Sequence, residues 1–212
     1  MFNFEKYRKI EEFIKKSKKN VKIVAISKNH PKESVLQAIH QGVRIFGENR
    51  VMEAKSKFFD LKKIYPNIQL HLTGPLQSNK VKEAVNLFDV FHTLDREKIA
   101  REFSKHTEKM ISKKVFVQVN TGEEQTKSGV LPKNLKEFIF FCRSETIINI
   151  VGLMCIPPIN EDPHKHFSFL NKLASENNLS ELSIGMSNDY TSAIEYNPSY
   201  IRLGTVLFGS RK

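Results

Sequence analysis

Three groups of residues in this 212-residue sequence combine the types and spacing that chemistry needs. Lys28 closes an apolar run, Val21 to Ile26 followed by Ser27. At the mouth of an apolar core such an amine is partly desolvated, which disfavours the ammonium and makes it a better nucleophile toward an aldehyde. A lysine at a strand end also snorkels to solvent, and position alone favours that plainer reading. Ser187-Asn188-Asp189 opens a polar stretch, and Gly204-Thr205 lies within the run YIRLGTVLF. Hydroxyls beside a close-approach glycine suit a phosphate ester held partly by backbone N–H groups. The plainer readings are an N-cap at Ser187 and a bulge at Gly204. Arg202, inside the same apolar run, needs a partner if it is buried. A buried ion pair would supply one, and so would a ligand ring to which the guanidinium donates.

Other candidates carry less. His164 and His166 lie in a polar helix start without further metal ligands, so no metal is expected. Glu123-Glu124 reads as loop chemistry rather than as a pair of catalytic carboxylates. Cys142 and Cys155 sit in apolar contexts with no CxxC spacing, as expected of inert buried thiols in a reducing compartment. The net charge of +11 invites a nucleic-acid partner. The lysines are spread along the chain, however, and the dense run Lys15-Lys16-Ser17-Lys18-Lys19 ends a helix, where cations complement the dipole and face water. No zinc-finger, homeodomain-like or aromatic-interleaved basic pattern accompanies it. No apolar stretch approaches the ~18 residues of a membrane span, and the amphipathic N-terminus lacks an apolar signal region. Nucleic acid and membrane are therefore not expected partners, and the expected location is the cytoplasm.

The elements that must position these residues alternate. Short apolar runs at 21–28, 43–48, 68–73, 90–94, 115–120, 150–156, 182–187 and 200–208 predict strands. Amphipathic stretches near 32–41, 49–64, 78–88, 95–110, 132–145, 162–177 and 188–197 predict helices between them, with an extra N-terminal helix over 3–19. Pro31 precedes one helix, and Ser78 and Asp95 are placed to cap two others. Near-continuous apolar strands separated by helices indicate a parallel sheet covered on both faces. Eight such units predict an α/β fold, a single (β/α)8 TIM-type barrel over residues 1–212. An open doubly wound sheet is the alternative, but no GxGxxG fingerprint follows any strand. In a barrel the C-terminal strand ends build the site, and here they carry Lys28, Asn49, Gly74, Asp95, Asn120, Ser187 and Arg202.

The segments AISKNHP, FGENRVMEAKSK, LTGPLQSNK, FHTLDR, QVNTGEEQTKSGV, GLMCIPP, LSIGMSNDY and IRLGTVLFGSR resemble successive signatures of the pyridoxal phosphate homeostasis proteins, the alanine racemase N-terminal-domain-like family. The resemblance runs from about Val21 to Arg211. It implies that Lys28 carries pyridoxal 5′-phosphate as a Schiff base and that Asn49 lies beside the cofactor ring. It further implies that Ser187, Gly204 and Thr205 hold the phosphate, that Arg202 faces the pyridine nitrogen and that Met186 lines the pocket. Two departures stand out: Leu70 where the family has an aromatic before His71, and Asn188 where it has a carboxylate.

The same resemblance argues against robust catalysis. Pyridoxal phosphate is the deepest electron sink when its ring nitrogen is protonated opposite a carboxylate. A guanidinium there keeps the nitrogen unprotonated, because arginine does not give up its proton. Related racemases also draw a second base from another domain, for which these 212 residues leave no room. A monomer that buffers the cofactor and delivers it to apo-enzymes is the expectation; a low-activity amino-acid racemase is the alternative, and a phosphate-ester isomerase or aldolase on the same barrel a third.

Overall fold

The computed structural model describes residues 1–210, so Arg211, which ends the last resembling segment, lies outside the described residues. Eight parallel strands close into a barrel in sequence order: β1 (Lys22–Ile26), β2 (Ile45–Glu48), β3 (Gln69–Leu72), β4 (Val90–Leu94), β5 (Lys114–Gln118), β6 (Ile150–Met154), β7 (Glu181–Ser183) and β8 (Tyr200–Leu203). The expected (β/α)8 barrel is the observed fold, and the open-sheet alternative falls, because β8 pairs with β1 over Lys22–Ala25.

The outer layer comprises α1 (Phe4–Lys16), α2 (Lys32–His40), α3 (Val51–Phe58), α4 (Leu61–Ile64), α5 (Val81–Leu87), α6 (Glu97–Ser104), α7 (Thr107–Met110), α8 (Leu135–Glu145), α9 (Pro163–Glu176), α10 (Tyr190–Ile194) and α11 (Thr205–Phe208). The predicted helices over 49–64 and 95–110 each break in two. Neither Ser78 nor Asp95 caps a helix: Ser78 begins a short 3-10 turn, and Asp95 pairs with Arg96 at 2.5 Å. Pro31 does stand at the N-cap of α2. Asn3 caps α1, its side chain accepting from the Lys6 N–H at 2.9 Å.

Side chains alternate through the barrel wall. Along β3, Leu70 and Leu72 enter the apolar layer beneath the helices, whereas His71 turns inward. The barrel's centre is an apolar cluster of Val24, Ile26, Val90, Phe116, Met154 and Tyr200. This plug separates the two barrel mouths, leaving the C-terminal one for the site.

The last run differs from its prediction. Residues 200–208 do not form one strand, because register with β1 ends at the pair Ala25–Leu203. Past that point the backbone has no strand partner, turns at Gly204, and closes α11 instead. Leu207 accepts the Asn3 N–H at 2.7 Å, and Phe2 packs edge-on against Phe208, so the extra N-terminal helix is tied to the end of β8. Where a strand over 182–187 is predicted, the observed one is shorter and starts a residue earlier, Glu181–Ser183; Gly185 follows at φ +88, a conformation that favours glycine.

Candidate functional site

At the C-terminal mouth lies a cavity of about 270 Å³, close to the lower end of small-molecule sites. All of Lys28, Asn49, Met186, Ser187, Arg202, Gly204 and Thr205 line it. Asn120 and Asp95, the other polar strand ends, do not: Asn120 Nδ2 donates to the Glu124 carbonyl and braces its own loop. His30, Thr73 and Ile156 join the lining without having been singled out, as does Asn188, the neighbour of Ser187 where the family has a carboxylate. Among the described residues no carboxylate lines the cavity, so its charge is cationic, from Lys28 and Arg202.

Lys28 lies two residues beyond β1, in a tight turn completed by Asn29 at φ +61. α3 holds that turn from below. Lys57 Nζ donates to the carbonyls of Ser27 (2.7 Å) and His30 (3.2 Å), while Glu53 accepts the Asn29 N–H at 2.5 Å. Three peptide groups flanking Lys28 are thus fixed by two side chains one helical turn apart. Beneath them Glu48, wholly buried, accepts from Ser27 Oγ (2.6 Å) and pairs with Lys57 at 2.5 Å. Its second oxygen, Oε2, has no hydrogen-bond partner among the described residues. Burial outweighs the attraction of Lys57 and Ser27 and pushes the Glu48 carboxyl up to about 6.

Asn49 follows directly and is oriented by Thr73, whose hydroxyl donates to Asn49 Oδ1 at 3.0 Å. Gly74 permits this closeness, since a Cβ there would collide with the Asn49 backbone. Ser187 is not an N-cap of α10; its Oγ accepts from the Val206 N–H at 3.3 Å, joining the β7 and β8 loops. Gly204 makes no bulge. The nearest neighbour of a Cβ there would be Ile26, no closer than 3.6 Å. Protein crowding therefore does not demand a glycine, and Gly204 lines the cavity.

Arg202 is buried but has no ionic partner among the described residues. Nη1 donates to the carbonyl and hydroxyl of Ser183 (2.6 and 2.7 Å), and Nη2 to the Cys155 carbonyl (3.0 Å). Of its five N–H donors, two have no protein partner among the described residues, and Arg202 lines the cavity. Both cysteines are buried, and loss of hydration pushes both thiols up to about 12. His164 and His166 engage different partners, Tyr196 and Thr121.

The Alanine racemase, N-terminal domain profile matches residues 5–212. The chain belongs to that family. The pyridoxal phosphate homeostasis protein of Aquifex aeolicus is 38% identical over 201 residues, covering 90% of this chain and 87% of the relative. PipY of Synechococcus elongatus, solved with PLP bound, superposes with a TM-score of 0.84 at 31% identity, covering 97% of this chain and 99% of its own. The alanine racemase of Acinetobacter baumannii shares the fold at 17% identity and a TM-score of 0.76; this chain spans 62% of it.

Proposed function

We propose that this protein binds pyridoxal 5′-phosphate on Lys28 and serves cofactor homeostasis, buffering the cofactor and handing it to apo-enzymes. The supporting observation is the convergence of Lys28 and Arg202 on one carboxylate-free cavity, in a chain whose relatives carry that name or were solved with PLP. When bound, the cofactor would supply an aldehyde, and Lys28 is the amine that would hold it as a Schiff base, with water released. Asn49 would flank the ring and Met186 the pocket wall. Ser187, Gly204 and Thr205 would receive the phosphate, Gly204 through the space its missing side chain leaves. The donors of Arg202 would meet the ring nitrogen as an acceptor, so no acid of this site protonates it. That arrangement favours holding over turnover.

The finer expectations belong to the same proposal: residues 1–212 act as one cofactor-binding unit, monomeric and cytoplasmic. Among the described residues no helix is long and apolar enough to cross a membrane. The deciding experiment is the absorption spectrum of protein incubated with pyridoxal phosphate and desalted, before and after borohydride, beside Lys28→Ala. A visible band that borohydride bleaches, absent from the variant and mapped to Lys28, is the expected result. Colourless protein without a reducible adduct overturns the reading, and racemisation of alanine at ordinary rates of ~1–10³ s⁻¹ overturns its non-catalytic part.

A further inference from the structure

A line of hydrogen bonds crosses the barrel's interior from the cavity toward the opposite mouth. Arg202 Nη1 donates to Ser183 Oγ at 2.7 Å, and that hydroxyl lies 2.7 Å from His92 Nδ1. His92 Nε2 is 2.8 Å from His71 Nδ1, and His71 Nε2 is 3.1 Å from Gln69 Oε1. Four different strands, β8, β7, β4 and β3, supply these side chains, each from an inward position. Ser183, His92 and His71 have no solvent exposure. The imidazole of His92 stacks on Phe116 (centroids 4.9 Å, interplanar 7°), and the Tyr200 ring stands edge-on to both histidines.

The ends of the line set its direction. Arginine only donates, and a carboxamide oxygen only accepts. Ser183 therefore receives from Arg202 and passes its own O–H to His92 Nδ1. His92 donates from Nε2 to His71 Nδ1, and His71 donates from Nε2 to Gln69. Each atom is satisfied once, and both imidazoles carry a single hydrogen, on Nε2. A second proton on either ring would set donor against donor. Burial acts in the same sense, pushing His71 down to about 3 and His92 well below the ordinary imidazole range.

We propose that Ser183, His92 and His71 are positioning residues for the cofactor site: their neutral, one-directional chain locks the Arg202 guanidinium in a single orientation. One of its remaining donors is thereby available to the ring nitrogen of pyridoxal 5′-phosphate. This rests on the proposed function for the identity of the ring, but the chain itself is a property of the protein alone. Backbone carbonyls hold one hydrogen on each Nη; the serine hydroxyl, itself held by His92, takes the second hydrogen on Nη1 and so fixes that edge of the guanidinium with a side chain.

Two measurements test this. In cofactor-free protein, nitrogen NMR of labelled histidine and arginine should show His71 and His92 neutral with hydrogen on Nε2, unchanged as pH crosses ~6.5 where free histidine titrates. Resolved guanidinium signals of Arg202 should collapse in Ser183→Ala and return in Ser183→Thr. In loaded protein, Ser183→Ala should bind the cofactor about tenfold more weakly, the cost of one hydrogen bond to a charged group, and shift its visible band. Ser183→Thr should restore the band. If Ser183→Ala does not fold, His92→Phe, which keeps the stack on Phe116, is read in its place. A cationic or Nδ1-protonated histidine in the parent overturns the proposal, as does a variant whose guanidinium signals, affinity and band match the parent's. Should the parent never load the cofactor, the proposed function fails while the NMR still decides the chain.

Discussion

Lys57 is the side chain on which the Lys28 turn hangs, and it is also the ion-pair partner of a fully buried carboxylate. Breaking a buried pair from one side leaves an uncompensated charge, which typically costs about 3–5 kcal/mol. Glu48 can escape part of that cost by taking up a proton, since its carboxyl already lies near 6. We expect Lys57→Met to lose roughly 3 kcal/mol of stability in denaturant unfolding, the low end of that range. Glu48→Gln with Lys57→Met should recover most of it, because two uncharged partners have no charge to bury. Cofactor retention should fall in both, since neither can hold the Ser27 and His30 carbonyls. The FGENRVMEAKSK segment contains Glu48, Glu53 and Lys57, yet its spacing does not disclose their roles. Val51, Ala54 and Phe58 mark one apolar face of α3, and a lysine at position 57 on that face reads as a solvated neighbour until the β1 turn lies beneath it.

α11 joins the site to the N-terminal helix. Phe208 contacts Phe2 edge-on at 5.2 Å and stacks on His30 at 5.2 Å, two residues from Lys28. A single ring thus spans the α1 end, the β8 loop and the lysine turn. Phe208→Ala should cost about 3–5 kcal/mol, as buried aromatic truncations do, and should also loosen cofactor binding. Melting curves with and without pyridoxal phosphate check both: the ligand-induced rise in Tm should shrink along with Tm itself. A run as apolar as YIRLGTVLF reads as one continuous strand, because local pattern does not report where a neighbouring strand ends. Pairing with β1 stops at Leu203, and the remaining residues curl into a helical turn that buries Leu207 and Phe208 against α1.

For the molecule as a whole, the interior chain implies a definite response to acid. In the folded state His71 takes a proton only near 3, and burial holds His92 well below the ordinary imidazole range, whereas in the unfolded chain both take one near 6.5. Below about 6.5 the unfolded state thus binds protons that the folded state refuses, and stability falls by about 1.4 kcal/mol per pH unit for each histidine. Glu48 acts in the opposite sense. Its folded value of about 6 exceeds the ordinary 4.5, so between those two values protonation favours the folded state and reduces the slope. Denaturant unfolding across pH should show full stability above about 6.5, a shallow decline to about 4.5, and a steeper one below. A curve flat from neutral pH to about 4 would mean that these histidines are not held neutral.

Much of the architecture was legible in the residues themselves. Eight apolar runs separated by amphipathic stretches can bury both faces of a parallel sheet in few ways, and one barrel satisfies them all. Because the strands run parallel, their C-terminal ends must gather at one mouth. Lys28, Asn49, Ser187 and Arg202, hundreds of sequence positions apart in no case but dispersed over most of the chain, were therefore bound to face one another. Gly204 and Thr205 were legible from residue type beside Arg202, Met186 came from resemblance alone, and all three lie in the same cavity. What only the tertiary structure decided are the contacts between strands that are distant in sequence. His71, His92 and Ser183 each look like an isolated polar residue in an apolar run. Only barrel closure sets their inward faces in line, because a hydrogen bond depends on two positions at once and a sequence pattern reports one.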